Sequence, residues 1–100
     1  MFIAMNRFKI AKGRESEFTD IWRQRDTYLA SVPGFKEFHL LQGPETDEYT
    51  LFASHSVWSS RAAFEDWTRS EAFRKAHAQA GGAKGIYLGP PQFEGFEAVI

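Results

Sequence analysis

The chain has no cysteine and three histidines. Thiolate nucleophiles, disulfides, iron–sulfur clusters and Cys-based zinc sites are therefore excluded, and metal or proton chemistry falls to His39, His55, His77 and the carboxylates. His39 and His55 sit in stretches that alternate like strands, where a hydrogen-bonded structural histidine is the simpler reading. His77 differs: it follows Phe73 by one helical turn, so imidazole and ring share a face. Two roles fit that position. One is a half-buried imidazole tied to a backbone carbonyl, the commoner case on spacing alone; the other is a neutral nitrogen in an apolar cleft, as an axial bond to heme iron requires. Asn6 lies on an otherwise apolar strand face, where an amide without partners costs a few kcal/mol. A partner within the fold and a bound ligand answer that cost equally well. Trp67 follows Phe64 by one turn and by itself reads as a core aromatic.

Other chemistry is absent from the pattern. No zinc-ligand spacing, Walker motif or G-x-S-x-G elbow occurs, and Gly81-Gly82-Ala83-Lys84-Gly85 lacks the strand that must precede a phosphate loop. Glu65-Asp66 and the pair Glu15 and Glu17 read as solvated helix carboxylates rather than an acid–base couple. With 12 Lys plus Arg against 13 Asp plus Glu, no excess of positive charge favours a phosphate backbone, so no nucleic-acid partner is expected. Asn6, Arg7 and Lys9 interrupt the apolar N-terminal stretch, which fits neither a signal peptide core nor a membrane span. The expectation is a cytoplasmic protein with no membrane partner.

The elements that must position these residues follow from periodicity. Phe2 to Ile10 alternates as a strand with Phe2, Ala4, Asn6, Phe8 and Ile10 on one face. Phe18, Ile21, Trp22, Arg25, Leu29 and Val32 recur at helical steps until Pro33-Gly34, predicting one amphipathic helix. Phe35 to Gln42 and Tyr49 to Trp58 predict an antiparallel hairpin turning through Gly43 to Glu48. Ser59 or Ser60 opens a helical stretch, with a break near Thr68 to Ser70 and a second segment over Glu71 to Ala80. A fourth strand is read over Gln92 to Ile100. The order βαββαβ is the split βαβ motif, a ferredoxin-like α+β fold in one domain spanning residues 1–100. Both sheet faces carry apolar residues and one chain has helices for only one of them, so a second subunit is expected on the other.

These residues carry a resemblance. Met5-Asn6-Arg7-Phe8 with Lys12-Gly13, Pro33-Gly34-Phe35, Val57-Trp58-Ser59-Ser60, Phe64-Glu65-Asp66-Trp67 and Ser70 through His77 resemble the IsdG-type heme-degrading monooxygenases of the antibiotic-biosynthesis-monooxygenase superfamily, whose fold is a dimeric α+β barrel. The resemblance implies a homodimer that takes heme as both cofactor and substrate and opens the ring with O₂ and electrons from an external reductase, releasing iron. It implies His77 as the axial iron ligand, Asn6 as a hydrogen-bond donor on the oxygen side, and Trp67 as the surface that ruffles the porphyrin. Phe64, Phe73 and the Phe8 side of the first strand would complete the heme cleft. Arg23, Arg25, Arg74, Lys75 and Lys84 are candidate propionate partners, and Gly81 to Pro91 a candidate flap over the cleft. Two alternatives stand beside it: a cofactor-independent quinol or polyketide monooxygenase, and a protein that carries heme without degrading it.

Overall fold

The computed structural model describes residues 1–24, 28–78 and 85–100, the side chains of His77 and Ala78 excepted. Its elements are β1 (Phe2–Ala11), α1 (Glu15–Gln24), β2 (Phe35–Glu45), β3 (Tyr49–Trp58), α2 (Arg61–Thr68), α3 (Glu71–Ala78) and β4 (Gln92–Glu97). The four strands form one antiparallel sheet in the order β2-β3-β1-β4, the ferredoxin-like arrangement expected for βαββαβ. Both helical regions lie on the face that carries Phe2, Ala4, Asn6 and Phe8.

That face is held by two apolar clusters. Phe18 of α1 is fully buried against Phe8 and Phe52, with Ile10 and Ile86 beside them. Phe64 and Trp67 of α2 pack on Phe2 and Trp58, with Leu29 closing the group. Ser60 caps α2, its hydroxyl accepting from the Ala63 N–H at 3.1 Å. The break between α2 and α3 falls where expected. There the Ser70 hydroxyl donates to the Trp67 carbonyl at 2.6 Å and accepts from the Phe73 N–H at 3.1 Å, bonding both helix ends at once. Gly34 sits at φ +84°, and a Cβ there would lie 2.5 Å from the Ala63 Cβ and 2.8 Å from the Ser59 Oγ. The Pro-Gly-Phe turn is thus the point where the chain passes against the start of α2.

Four expectations need correction. The helix predicted to run to Val32 is assigned only to Gln24, and Tyr28 adopts φ 57°. Leu29 keeps its buried place, but from irregular chain, so its i+4 spacing was coincidental with the helical period. β2 runs through Gly43 and Pro44 to Glu45, absorbing them in a register shift between Gln42 and Glu45. The turn is pushed to Thr46, whose hydroxyl accepts from the Glu48 and Tyr49 N–H groups. β4 stops at Glu97 rather than Ile100. Finally, the described part of the candidate flap is anchored: Ile86 is 1% exposed, its carbonyl accepts from Ala11 N–H, and Leu88 N–H donates to Lys9. Gly81 to Lys84 lie outside the described residues.

The opposite sheet face presents Ile3, Met5, Ala53 and Val57 by alternation, with Leu41 and Phe96 on flanking strands still exposed. No described helix covers it.

Candidate functional site

Between the sheet and α2–α3 lies a cavity of about 320 Å³, at the small end of the range for ligand sites. Its sheet wall is Ala4, Asn6, Ser54 and Ser56, with Phe38 and Phe93 from the flanking strands, and its helical wall includes Trp22, Phe64, Trp67, Phe73 and Ala76. Four of the five expected site residues therefore meet: Asn6, Phe64, Trp67 and Phe73 line one space. His77 follows Ala76 on α3, but its side chain lies outside the described residues. Phe8 is not part of the wall; it is 6% exposed and belongs to the core cluster under α1.

The aromatic surfaces are fixed against one another. Trp67 meets Phe73 edge-on at 4.8 Å and Trp58 at 5.3 Å, while Phe64 stacks on Phe93 at 5.6 Å. Trp22 stacks on Phe38 at 5.7 Å. Such pairs hold broad rigid faces toward the cavity. They suit a flat apolar guest.

Polar groups are few and fall into two sorts. The Ser56 hydroxyl is committed to the fold, accepting from Trp58 Nε1 at 3.0 Å and donating to the Ala4 carbonyl at 3.4 Å. Thr68 donates to the Glu65 carbonyl. The Asn6 carboxamide, by contrast, has no hydrogen-bond partner among the described residues and sits on the central strand, between Ser54 of β3 and Phe93 of β4. Of the two answers the sequence left open for Asn6, the described structure supplies no partner in the fold. No cationic side chain lines the cavity among the described residues. Of the propionate candidates, Arg23 pairs with Asp20 and Lys75 with Glu71, Arg74 is not a lining residue, and Arg25 and Lys84 lie outside the described residues. At the start of α1, away from the cavity, the Thr50 hydroxyl and backbone N–H groups lower Glu15, and the Arg14–Glu17 pair lowers Glu17 and raises Arg14.

Ser54, Trp22, Phe38 and Phe93 complete the wall although sequence reasoning did not single them out. Ser54 was findable, since strand alternation and hairpin register together set it directly across from Asn6. Phe93 required knowing that β4 pairs with β1.

The family model for antibiotic biosynthesis monooxygenases matches residues 1–79. The chain belongs to the antibiotic biosynthesis monooxygenase family. Within it, similarity extends to heme-degrading monooxygenases of Bacillus thuringiensis and Bacillus anthracis, each 30% identical over 82 residues, covering 82% of this chain and 76% of the relative; these place it in the IsdG-type branch. Among solved structures, the heme-degrader MhuD from Mycobacterium tuberculosis, with two hemes bound in its active site, superposes at TM-score 0.75 with 27% identity, covering 100% of this chain and 97% of that one. SnoaB from Streptomyces nogalater, a cofactor-independent oxygenase, superposes at TM-score 0.70 with 22% identity over 99% of this chain and 93% of that one, and shares the fold. As a member of this family the chain is a monooxygenase.

Proposed function

We infer that this monooxygenase acts on heme. The observation that carries the reading is the Asn6 carboxamide, held on the central strand without a partner among the described residues and facing an apolar cavity walled by Phe64, Trp67 and Phe73. A rigid amide in such a place is spent on a guest. The aromatic walls fit a planar macrocycle, and the named relatives degrade heme or hold it.

When bound, heme supplies both the O₂-activating metal and the ring to be opened, with electrons from an external donor such as a reductase. The chain's own part is positional. His77, four residues after Phe73 on α3, is the residue that would hold the iron. Asn6 would donate an amide hydrogen to an acceptor on the guest, and its strand keeps it within narrow tolerance. Trp67, backed by Trp58 and wedged by Phe73, would press a surface that does not yield, and Phe64 stacked on the half-exposed Phe93 adds to the apolar wall. The uncovered sheet face supports a homodimer as the working unit of this reading, which takes the enzyme to be cytoplasmic. Separately, no helix among the described residues is long and apolar enough to cross a membrane.

A cofactor-independent reading, in which an organic substrate reduces O₂ directly, is favoured by one observation: no described cation stands ready for the propionates. Hemin titration decides between them. The heme reading expects a saturable Soret band that decays with iron release on adding reductant and O₂ with catalase present. His77→Ala should abolish tight hemin binding, and Asn6→Ala should keep it while slowing decay about tenfold or more. A persistent band marks a carrier, and no band overturns the heme reading.

A further inference from the structure

We propose that Ser54 is a second ligand-facing hydrogen-bond group, paired with Asn6 to grip one oxygen atom of the guest at the sheet wall. The proposal rests on the reading that the cavity is the substrate site.

Ser54 and Ser56 both point to the cavity face of β3, and both are 9% exposed. Their hydroxyls have different employment. Ser56 satisfies the Trp58 indole and the Ala4 carbonyl; Ser54 makes no hydrogen bond among the described residues. The Ser54 hydroxyl is not sealed into the sheet but open to the cavity it lines, so a guest can reach it. Ser54 also stands directly opposite Asn6 in the β1–β3 register, where cross-strand side chains start about 4.5–5.5 Å apart. Two hydrogen-bond groups so placed converge on a single acceptor between them. Position 54 therefore decides whether the wall offers one donor or two. A guest that presents an oxygen there is favoured over one of the same outline without it.

The test uses the full chain, wild type and as Ser54→Ala and Ser54→Thr. In the ligand-free protein, Ser54→Ala should melt at or above the wild-type temperature, because an unpaired hydroxyl is removed; a lower midpoint assigns Ser54 a structural role and overturns the proposal. In the ferric hemin-loaded protein, fluoride is the probe, a small anion that accepts hydrogen bonds. Ser54→Ala, brought to saturation with hemin, should weaken fluoride roughly three- to tenfold, with Ser54→Thr restoring it. Unchanged fluoride affinity overturns the pairing while leaving the heme reading intact. If wild type takes no hemin, the heme reading falls and dithranol, a flat polyketide-like phenol, is titrated by calorimetry instead. Three- to tenfold weaker binding by Ser54→Ala then supports the pairing, and equal binding or none by wild type overturns it.

Discussion

Two glycines share one backbone conformation and differ in their surroundings, which turns a stability measurement into a test of how β2 and α2 meet. Gly13 has φ +86° with nothing within 4 Å of where a Cβ would stand, while Gly34 has φ +84° and would place that atom 2.5 Å from the Ala63 Cβ and 2.8 Å from the Ser59 Oγ. Alanine at either position meets the left-handed penalty, about 1–2 kcal/mol. At Gly34 the carbon pair must also separate by about 1 Å to reach the ~3.5 Å of ordinary contact, and overpacking of this kind costs about 1–3 kcal/mol. Gly13→Ala is thus expected to lose about 1–2 kcal/mol and Gly34→Ala about 2–5 kcal/mol, against a total of roughly 5–15 kcal/mol for a domain. Urea denaturation at constant m-value measures both. The retreat moves α2, which carries Phe64 and Trp67, so Gly34→Ala should also weaken hemin binding and Gly13→Ala should not. Equal losses in the two variants would refute the claimed contact.

Thr50 is fully buried, and its hydroxyl donates to Glu15 Oε2 at 2.7 Å, the main cause holding the Glu15 carboxyl below its ordinary range. A lowered carboxylate contributes stability above its unfolded pKa that is lost as pH falls through the folded one. Thr50→Val should therefore destabilise at neutral pH and converge on wild type in acid, read as urea midpoints across pH; a gap that widens in acid contradicts the bond. On the uncovered sheet face, Leu41 is 42% exposed. Light scattering should give wild type twice the 11.4 kDa chain mass and Leu41→Lys a smaller apparent mass at equal concentration, while a wild-type monomer would remove the homodimer.

The sheet was legible in the sequence because alternation and helical spacing each have one geometric solution on a half-buried surface. Phe2 to Ile10 and Tyr49 to Trp58 could not be turned over without exposing Phe8 or Trp58. What misled was local chemistry overruled by tertiary contact: Gly43-Pro44 is turn vocabulary, yet an edge strand accommodates it with a register shift, and Leu29 continued a helical period from irregular chain. Asn6 stood out because a polar residue on an apolar strand is visible in one dimension, whereas Phe64, Trp67 and Phe73 read by spacing as core aromatics and were assigned to the site through the family resemblance. Ser54 and Phe93 were missed since each gains meaning only from the strand beside it. Phe8 was misplaced for the same reason: alternation gives its face, and only the position of α1 along that face tells core from cavity.

Trp58 is sealed at 0% exposure, while Trp22 and Trp67 border the open space, and the Trp58 and Trp67 rings lie 5.3 Å apart at 32°. Two indoles that near exchange excitation, and the circular dichroism of such a pair follows their mutual angle. Any guest that tilts Trp67 against its immobile neighbour is thereby announced by the molecule's own chromophores, including colourless guests that bring no absorption band with them.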